Sequence, residues 1–268
     1  MNPVPYGYID LNADFSKLTT KEIIRTLNLF IEYGYRVIAI NTFVDMESLA
    51  SQPSKPKKKK SGPMEDPVPC PHTFDIPEDI SNKVELLKRV TVKYSEPGQI
   101  IKLRDSKNFK QYQVFAVQPS TLNAFSHACS TLEVDLITLS CKEKLPFTIP
   151  RKMYQVAVQR GIHFELCYAD LITSTDSRIN CIQASHSLSI VGKSRGLILS
   201  SGSQSFIHIR SPHEVQCVSL MLGLSHVQAK QSIQDFPRHL LQRAYGRRLG
   251  KTLFDIQTQE SQDDETMR

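Results

Sequence analysis

The chain has 268 residues, 40% of them hydrophobic and 22% charged, which excludes wholesale disorder and suffices for one large core or two medium ones. Eleven Gly and fifteen Pro with no strict period exclude collagen-like and low-complexity chains. The formal net charge of +6 admits an anionic partner without naming one. In chain order, Tyr8–Leu11 is a brief strand candidate. It precedes an amphipathic stretch, Thr19 to Tyr33, in which Ile23, Ile24, Leu27, Phe30 and Ile31 share a helical face. Thr20 reads as its N-cap and Gly34 as its left-handed close. Arg36–Asn41 is a near-continuous apolar run of the kind found in parallel sheets covered on both faces. Further strand candidates are Leu87–Tyr94, Val114–Gln118, Val134–Leu139, Phe164–Tyr168, Leu197–Ser200 and Phe206–Ile209. Helical patterns separate them at about 100–110, 120–131, 151–160, 178–192 and 212–223, and two of the last segments, Ser211–Gly223 and Ser225–Ile233, each open on a Ser. Eight strand slots alternating with helices predict an α/β chain, a TIM-like (β/α) barrel forming a single domain over residues 1–251. An open doubly wound sheet is the alternative, because alternation alone does not decide closure.

One segment breaks the rhythm. Residues 48–82 are proline-rich without a helical or strand period and carry Lys57, Lys58, Lys59 and Lys60, so they read as a flexible inserted loop. A proline-flanked lysine cluster in such a loop is a candidate nuclear-import signal. Residues 252–268 are polar and read as a disordered tail. The six cysteines form no C-x-x-C pair, and Cys129, Cys141, Cys167 and Cys217 lie in apolar patterns, which predicts buried reduced thiols and no zinc site. Met1–Tyr8 lacks the apolar core of a secretory signal, and no apolar stretch approaches the length of a membrane span, so a soluble intracellular chain is expected.

The charge is unevenly spread. Residues 1–140 hold 17 Lys and Arg against 16 Asp and Glu, whereas residues 141–251 hold 15 against 6. The most basic stretch, Phe236 to Lys251, carries Arg238, Arg243, Arg247, Arg248 and Lys251 with no acid at all. Arginine forks suit bidentate phosphate contact, and a merely solvated helix face would interleave Glu and Asp.

A barrel enzyme holds its chemistry at the C-terminal ends of its strands. This chain offers Asp10, Asn12, Asn41, Tyr94, Gln118, Ser140, Tyr168, Ser200, Ser201 and Arg210 there. Metal-dependent hydrolysis wants several His and carboxylate ligands, and among these Asp10 alone qualifies. His163 and Glu165 share one strand face and form half a site at most. No G-x-S-x-G elbow, Walker motif or dinucleotide fingerprint occurs, so neither a catalytic set nor a bound metal is expected.

Several segments together resemble one family: the thirty-kilodalton TIM-barrel protein subunit shared by nuclear ribonuclease P and ribonuclease MRP. The matching residues are Gly34-Tyr35, Ala39-Ile40-Asn41, Val44-Asp45, Ala116-Val117 with Pro119, His127-Ala128-Cys129 and Val134-Asp135-Leu136. They continue through Glu143-Lys144-Leu145-Pro146-Phe147, Arg160-Gly161, Phe164-Glu165, Ser200-Ser201 and Ile209-Arg210-Ser211-Pro212. The family's barrel in turn resembles metal-dependent phosphoesterases of the polymerase-and-histidinol-phosphatase type. Those carry His-x-His at the end of the first strand and Asp-x-His late in the barrel, where this chain reads Asp10-Leu11-Asn12 and Ser200-Ser201-Gly202. The resemblance implies a non-catalytic nuclear and nucleolar subunit with no cofactor of its own. The RNA component, using Mg2+, would remove the 5′ leader of precursor tRNA, and the MRP complex would act in rRNA processing. It also implies binding to the catalytic RNA of both complexes, proximity to precursor tRNA, and pairing with a small ferredoxin-like subunit in a two-fold heterotetramer. Candidate RNA contacts are Lys144, Arg151, Arg178, Lys193, Arg195, Arg210, Arg238, Arg243, Arg247, Arg248 and Lys251, acting on phosphates by displacing counterions. A divergent metal-dependent phosphoesterase using Asp10, His163 and Glu165 is the alternative; a barrel whose basic face meets an acidic protein is a further one.

Overall fold

A computed structural model describes residues 6–50, 66–101, 103 and 106–250. Seven parallel strands follow one another around a sheet in sequence order: β1 (Tyr8–Ala13), β2 (Tyr35–Asp45), β3 (Glu85–Tyr94), β4 (Val114–Pro119), β5 (Leu136–Thr138), β6 (His163–Cys167) and β7 (Leu197–Ser200). The sheet curls until the chain after β7 meets the end of β1. Ala13 and Ser203 form a parallel bridge, the Asp14 amide donates to the Ser203 carbonyl at 3.1 Å, and the Gly202 amide donates to the Asn12 carbonyl at 2.8 Å. The result is a nearly closed TIM-like barrel with seven strands where the sequence suggested eight. Phe206–Ile209, expected as the eighth strand, turns instead into a 3-10 helix over Phe206–His208, started by the Ser205 hydroxyl accepting from the Ile207 amide.

The helices are α1 (Thr20–Glu32), α2 (Met46–Ala50), α3 (Glu78–Ser81), α4 (Pro97–Ile101), α5 (Leu122–Ser130), α6 (Arg151–Gln159), α7 (Ala169–Thr173), α8 (Thr175–Gly192), α9 (Pro212–Met221), α10 (His226–Ile233) and α11 (Asp235–Leu249). The cap of α1 is Thr19, one residue before the one expected. Its side chain and that of Glu22 exchange bonds with each other's backbone in a capping box, and the chain turns out at Gly34 with φ +87°. α10 packs on both β1 and β7, covering the seam. α11 touches β1 and β7, which meet at the seam, and β4 across the ring from them, so it crosses one end of the barrel.

Two apolar layers hold the fold. Ile9, Leu11, Val37, Ala39, Leu87, Val114, Ala116, Leu136 and Ile198 fill the barrel and are closed off by Leu240 and Leu241 of α11. Alternate strand residues such as Val90, Val92, Val117, Ile137, Phe164 and Leu199 face outward into the sleeve of helices.

Three further expectations are corrected. The helical pattern at 100–110 is only α4 and a 3-10 turn at Phe109–Gln111, because the Asp66 carboxylate draws in the Ser106 hydroxyl and the Asn108 amide. The segment 48–82 is not one exposed loop. It begins inside α2, and from Asp66 onward it is docked: Val68 is buried, and Asn108 and Tyr112 side chains bond the carbonyls of Val68 and Pro69. Residues 51–65, with the Lys57–Lys60 cluster, and 251–268 lie outside the described residues. Among the cysteines, Cys129, Cys141 and Cys167 are buried as expected, Cys217 is exposed where burial was expected, and Cys181 is buried as well. α9 turns Pro212, Val215 and Ser219 inward, so Cys217 is out of phase, while Cys181 falls on the inward face of α8 with Ala184, Ser185 and Leu188.

Candidate functional site: a filled barrel mouth and a basic opposite end

In a parallel barrel the strands lead toward the C-terminal end, the mouth, and inward side chains stack in layers below it. The lower layers here are apolar; the upper ones are polar and are centred on Arg89. β3 directs Leu87, Arg89 and Thr91 inward at period two, and β6 does the same with His163, Glu165 and Cys167. Arg89 and Glu165 are both fully buried and meet fork to fork, Nη1 on Oε1 and Nη2 on Oε2, each at 2.6 Å. The remaining guanidinium donors go to the Leu11 carbonyl (2.7 Å), Thr138 Oγ1 (2.9 Å) and Thr91 Oγ1 (3.0 Å). Glu165 is completed by the hydroxyls of Thr138 and Ser200, each donating at 2.7 Å, and by Asn12 Nδ2 at 3.3 Å. A register irregularity in β1 between Asp10 and Ala13 turns Asn12 into this cluster, where its side-chain Oδ1 accepts from Asn41 Nδ2.

Asp10 faces the seam instead. It accepts from the Ser201 amide at 2.8 Å, the Ser201 hydroxyl at 3.1 Å and the Asn12 amide at 2.9 Å. Burial pushes its pKa up to about 6 against the pull of these bonds. Burial would raise Glu165 as well, but the Arg89 charge and the bonds around it hold that carboxyl below its ordinary value. The two carboxylates therefore differ in kind: one is locked ionised by a guanidinium, the other is poised near neutrality in a seam.

The donor set does not fit a divalent cation. Both Glu165 oxygens face a resident cation, Arg89, and both Asp10 oxygens are taken up by N–H and O–H donors. Among the described residues no cluster of three or more His, Cys, Asp or Glu is arranged to hold a metal ion. His163 shares the inward face of β6 with Glu165, as expected, yet it lies below the polar layer beside Phe236 of α11, ring centroids 5.9 Å apart. Burial, then the Arg243 and His239 charges, lower its pKa to about 4, so it is neutral at pH 7. It joins no ligand set.

The basic candidates divide between the two ends. Lys144 and Arg151 follow β5, Arg178 opens α8 and Arg210 follows β7, all on the mouth side by the right-handed β-to-α path. Lys144 lines a groove of about 360 Å3 with Leu145, Phe147 and Asn180. Arg178 Nε donates to the Leu171 carbonyl, and Arg210 Nη1 bonds the carbonyls of Ile207 and Ile209. Lys193, Arg195, Arg238, Arg243, Arg247 and Arg248 collect at the opposite, N-terminal end, on α11 and the turn before β7. There Arg247 forks onto the buried Asp135 carboxylate (Nε to Oδ1 3.0 Å, Nη2 to Oδ2 2.6 Å), Arg243 Nη1 bonds the carbonyls of Val134 and Gly161, and the Arg238 guanidinium lies 5.5 Å over the Tyr6 ring. Lys193, Arg195 and Arg248 are exposed, and Lys251 lies outside the described residues. Sequence reasoning missed Arg89, although its inward phase on β3 opposite an inward Glu165 is visible in the pattern. It also missed Arg160, whose Nη1 and Nη2 bond the carbonyls of Cys129 and Leu132 at the same end.

Comparison with known proteins fits this geometry. A family model described as RNase P subunit p30 matches residues 7–249. The chain is 31% identical over 232 residues to ribonuclease P protein subunit p30 of Mus musculus, covering 85% of this chain and 81% of that protein. It is 23% identical over 236 residues to ribonuclease P/MRP protein subunit RPP1 of Saccharomyces cerevisiae, covering 85% and 77%. Among solved structures, a chain of a cryo-EM structure of archaeal ribonuclease P with mature tRNA has the same fold, with a TM-score of 0.62 at 13% identity over 95% of this chain and 100% of that one. The match runs from the first strand to the last turn of α11, and the chain belongs to the RNase P subunit p30 family.

Proposed function

We propose that this chain is a non-catalytic protein subunit of ribonuclease P and ribonuclease MRP, binding and stabilising their catalytic RNA for 5′-leader removal from precursor tRNA and for rRNA processing. The observation that carries the non-catalytic part is the Arg89 guanidinium, seated on Glu165 where a hydrolytic barrel needs room for divalent ions. In this reading the chain supplies a rigid cationic surface that reduces phosphate repulsion in a folded RNA, and the chemistry with its Mg2+ belongs to the RNA. A small ferredoxin-like subunit is the proposed protein partner. The nucleus and nucleolus are the proposed locations, with Lys57–Lys60 as the import signal. Among the described residues no helix is long and apolar enough to cross a membrane.

The test is crosslinking of the chain to RNA in cells, followed by sequencing. Enrichment of the ribonuclease P and MRP RNAs is expected, and recovery of no RNA would refute the proposal. A manganese-dependent hydrolysis of a generic phosphodiester by the purified chain, abolished by Asp10→Ala, would instead establish the phosphoesterase alternative.

A further inference from the structure

We propose that the N-terminal end of the barrel, and not its mouth, receives the RNA backbone, with Arg160, Arg243 and Arg247 as a fixed cationic centre and Lys193, Arg195 and Arg248 as its exposed rim. This rests on the RNA-binding reading above and narrows it to one surface.

The centre is built from three elements that converge where β5 and β6 begin. Arg160 follows α6 and reaches the carbonyls of Cys129 (2.8 Å) and Leu132 (2.9 Å); Arg243 of α11 reaches those of Val134 (3.1 Å) and Gly161 (3.0 Å). These partners are neutral. They fix the guanidinium planes and leave the charge uncancelled. Only Arg247 is matched by a buried carboxylate, that of Asp135, which is itself spent further on the Phe115 amide. Asp135 and Glu133 favour the protonated form of Arg243 while Arg160 and Arg247 oppose it, and three guanidiniums against two carboxylates leave the cluster a positive excess. Arg243 uses Nη1 alone in hydrogen bonds among the described residues, which leaves the rest of its fork for a ligand.

The rim surrounds this centre. Lys193 and Ser194 both adopt left-handed backbone, φ 54° and 52°, and Gln228 Nε2 bonds the Lys193 carbonyl at 2.8 Å, which pins the turn that displays Lys193 and Arg195. That turn leads into Gly196, whose carbonyl accepts from the Phe164 amide and which lies against His163, the neighbour of Arg243. Arg248 extends the surface toward Tyr245 and Glu85 at the start of β3. Arginines preset by carbonyl bonds lose little freedom when a phosphate arrives, unlike free lysines on a loop. At the mouth Lys93 faces Asp45 and Glu47 and Arg89 is buried on Glu165, while the carbonyl-bonded Arg178 and Arg210 stand singly on separate segments, α8 and the stretch after β7.

The test uses the full chain, a labelled transcript of the ribonuclease P RNA component as probe, and a salt titration. The rim variant R195E/R248E alters exposed residues and should fold as the wild type does. It should bind about tenfold or more weakly and flatten the slope of log affinity against log salt by about 2. The mouth variant K144E/R151E should stay within about twofold of wild type. Loss of binding in the mouth variant with a normal rim variant, or equal loss in both, overturns the assignment of the surface. So does a rim variant that binds RNA normally but no longer copurifies with an acidic protein. If the unaltered chain binds no RNA even at low salt, the RNA-binding reading itself fails, a result distinct from all of these.

Discussion

The mouth of the barrel and its opposite end each gather arginine, and they treat its charge in opposite ways. Arg89 is paired with a carboxylate and its charge is spent inside the protein. Arg160 and Arg243 are tied to backbone carbonyls, which satisfy the N–H groups without neutralising them. A count of arginines does not separate a plug from a docking surface; the formal charge of each partner does.

The largest effect is expected at the mouth. Arg89→Met leaves a buried carboxylate unpaired and should cost about 3–5 kcal/mol, read by urea unfolding. Adding Glu165→Leu should recover part of that loss, because the uncompensated charge is then gone; a near-zero cost for Arg89→Met alone would show that the pair is not the plug described. Next comes a pH effect that sets the two ends against each other. Asp10, raised from 3.8 to about 6, lends stability at low pH that is lost as pH climbs through that window. His163, lowered from 6.5 to about 4, lends stability above 6.5 that is lost as pH falls. Each is worth about 3 kcal/mol with opposite slope, so they nearly cancel between pH 4 and 6.5. Asp10→Asn should make stability rise with pH across this range, and His163→Gln should make it fall; parallel melting curves for the two variants would break the comparison. A smaller loss, about 1.5–3 kcal/mol, is expected from Asp135→Asn, which weakens the charged bonds from Arg247. The smallest is Ser211→Ala. It removes the capping box of α9 at the mouth and should cost about 1 kcal/mol in thermal melts.

Much of this was legible in the chain. Six of the seven strands overlap the predicted ones by most of their length and β2 over Arg36–Asn41, because strands buried on both faces leave long apolar runs with little to confuse them. The eighth strand failed because Phe206–Ile209 is short and follows Ser203 and Ser205, whose hydroxyls reward a turn. Closure came instead from the tail of β7 reaching β1, a contact between residues nearly two hundred positions apart that no local pattern reveals. The loss of imidazoles at Asp10-Leu11-Asn12 and Ser200-Ser201-Gly202 was readable, but not what replaced them. Arg89 looked like one more polar residue in a strand, and its meaning depends on Glu165 across the lumen. The basic stretch of α11 was visible as composition alone. Which of its arginines serve the fold depends on carbonyls of residues 129–134 and 161, and carbonyls carry no sequence signature.

The seam between β1 and β7 has one further consequence. Six neighbouring pairs of strands share ladders, while this join has a single bridge, two amide bonds and the side-chain bonds that tie Ser201 to Asp10 and Asn12 and Gln204 to Asp14. Deuterium should therefore enter the Asp14 and Gly202 amides well before those of Val90 or Val117, and ionising Asp10, which burial in the closed seam disfavours, should promote the opening. The cylinder is built to unzip along one line.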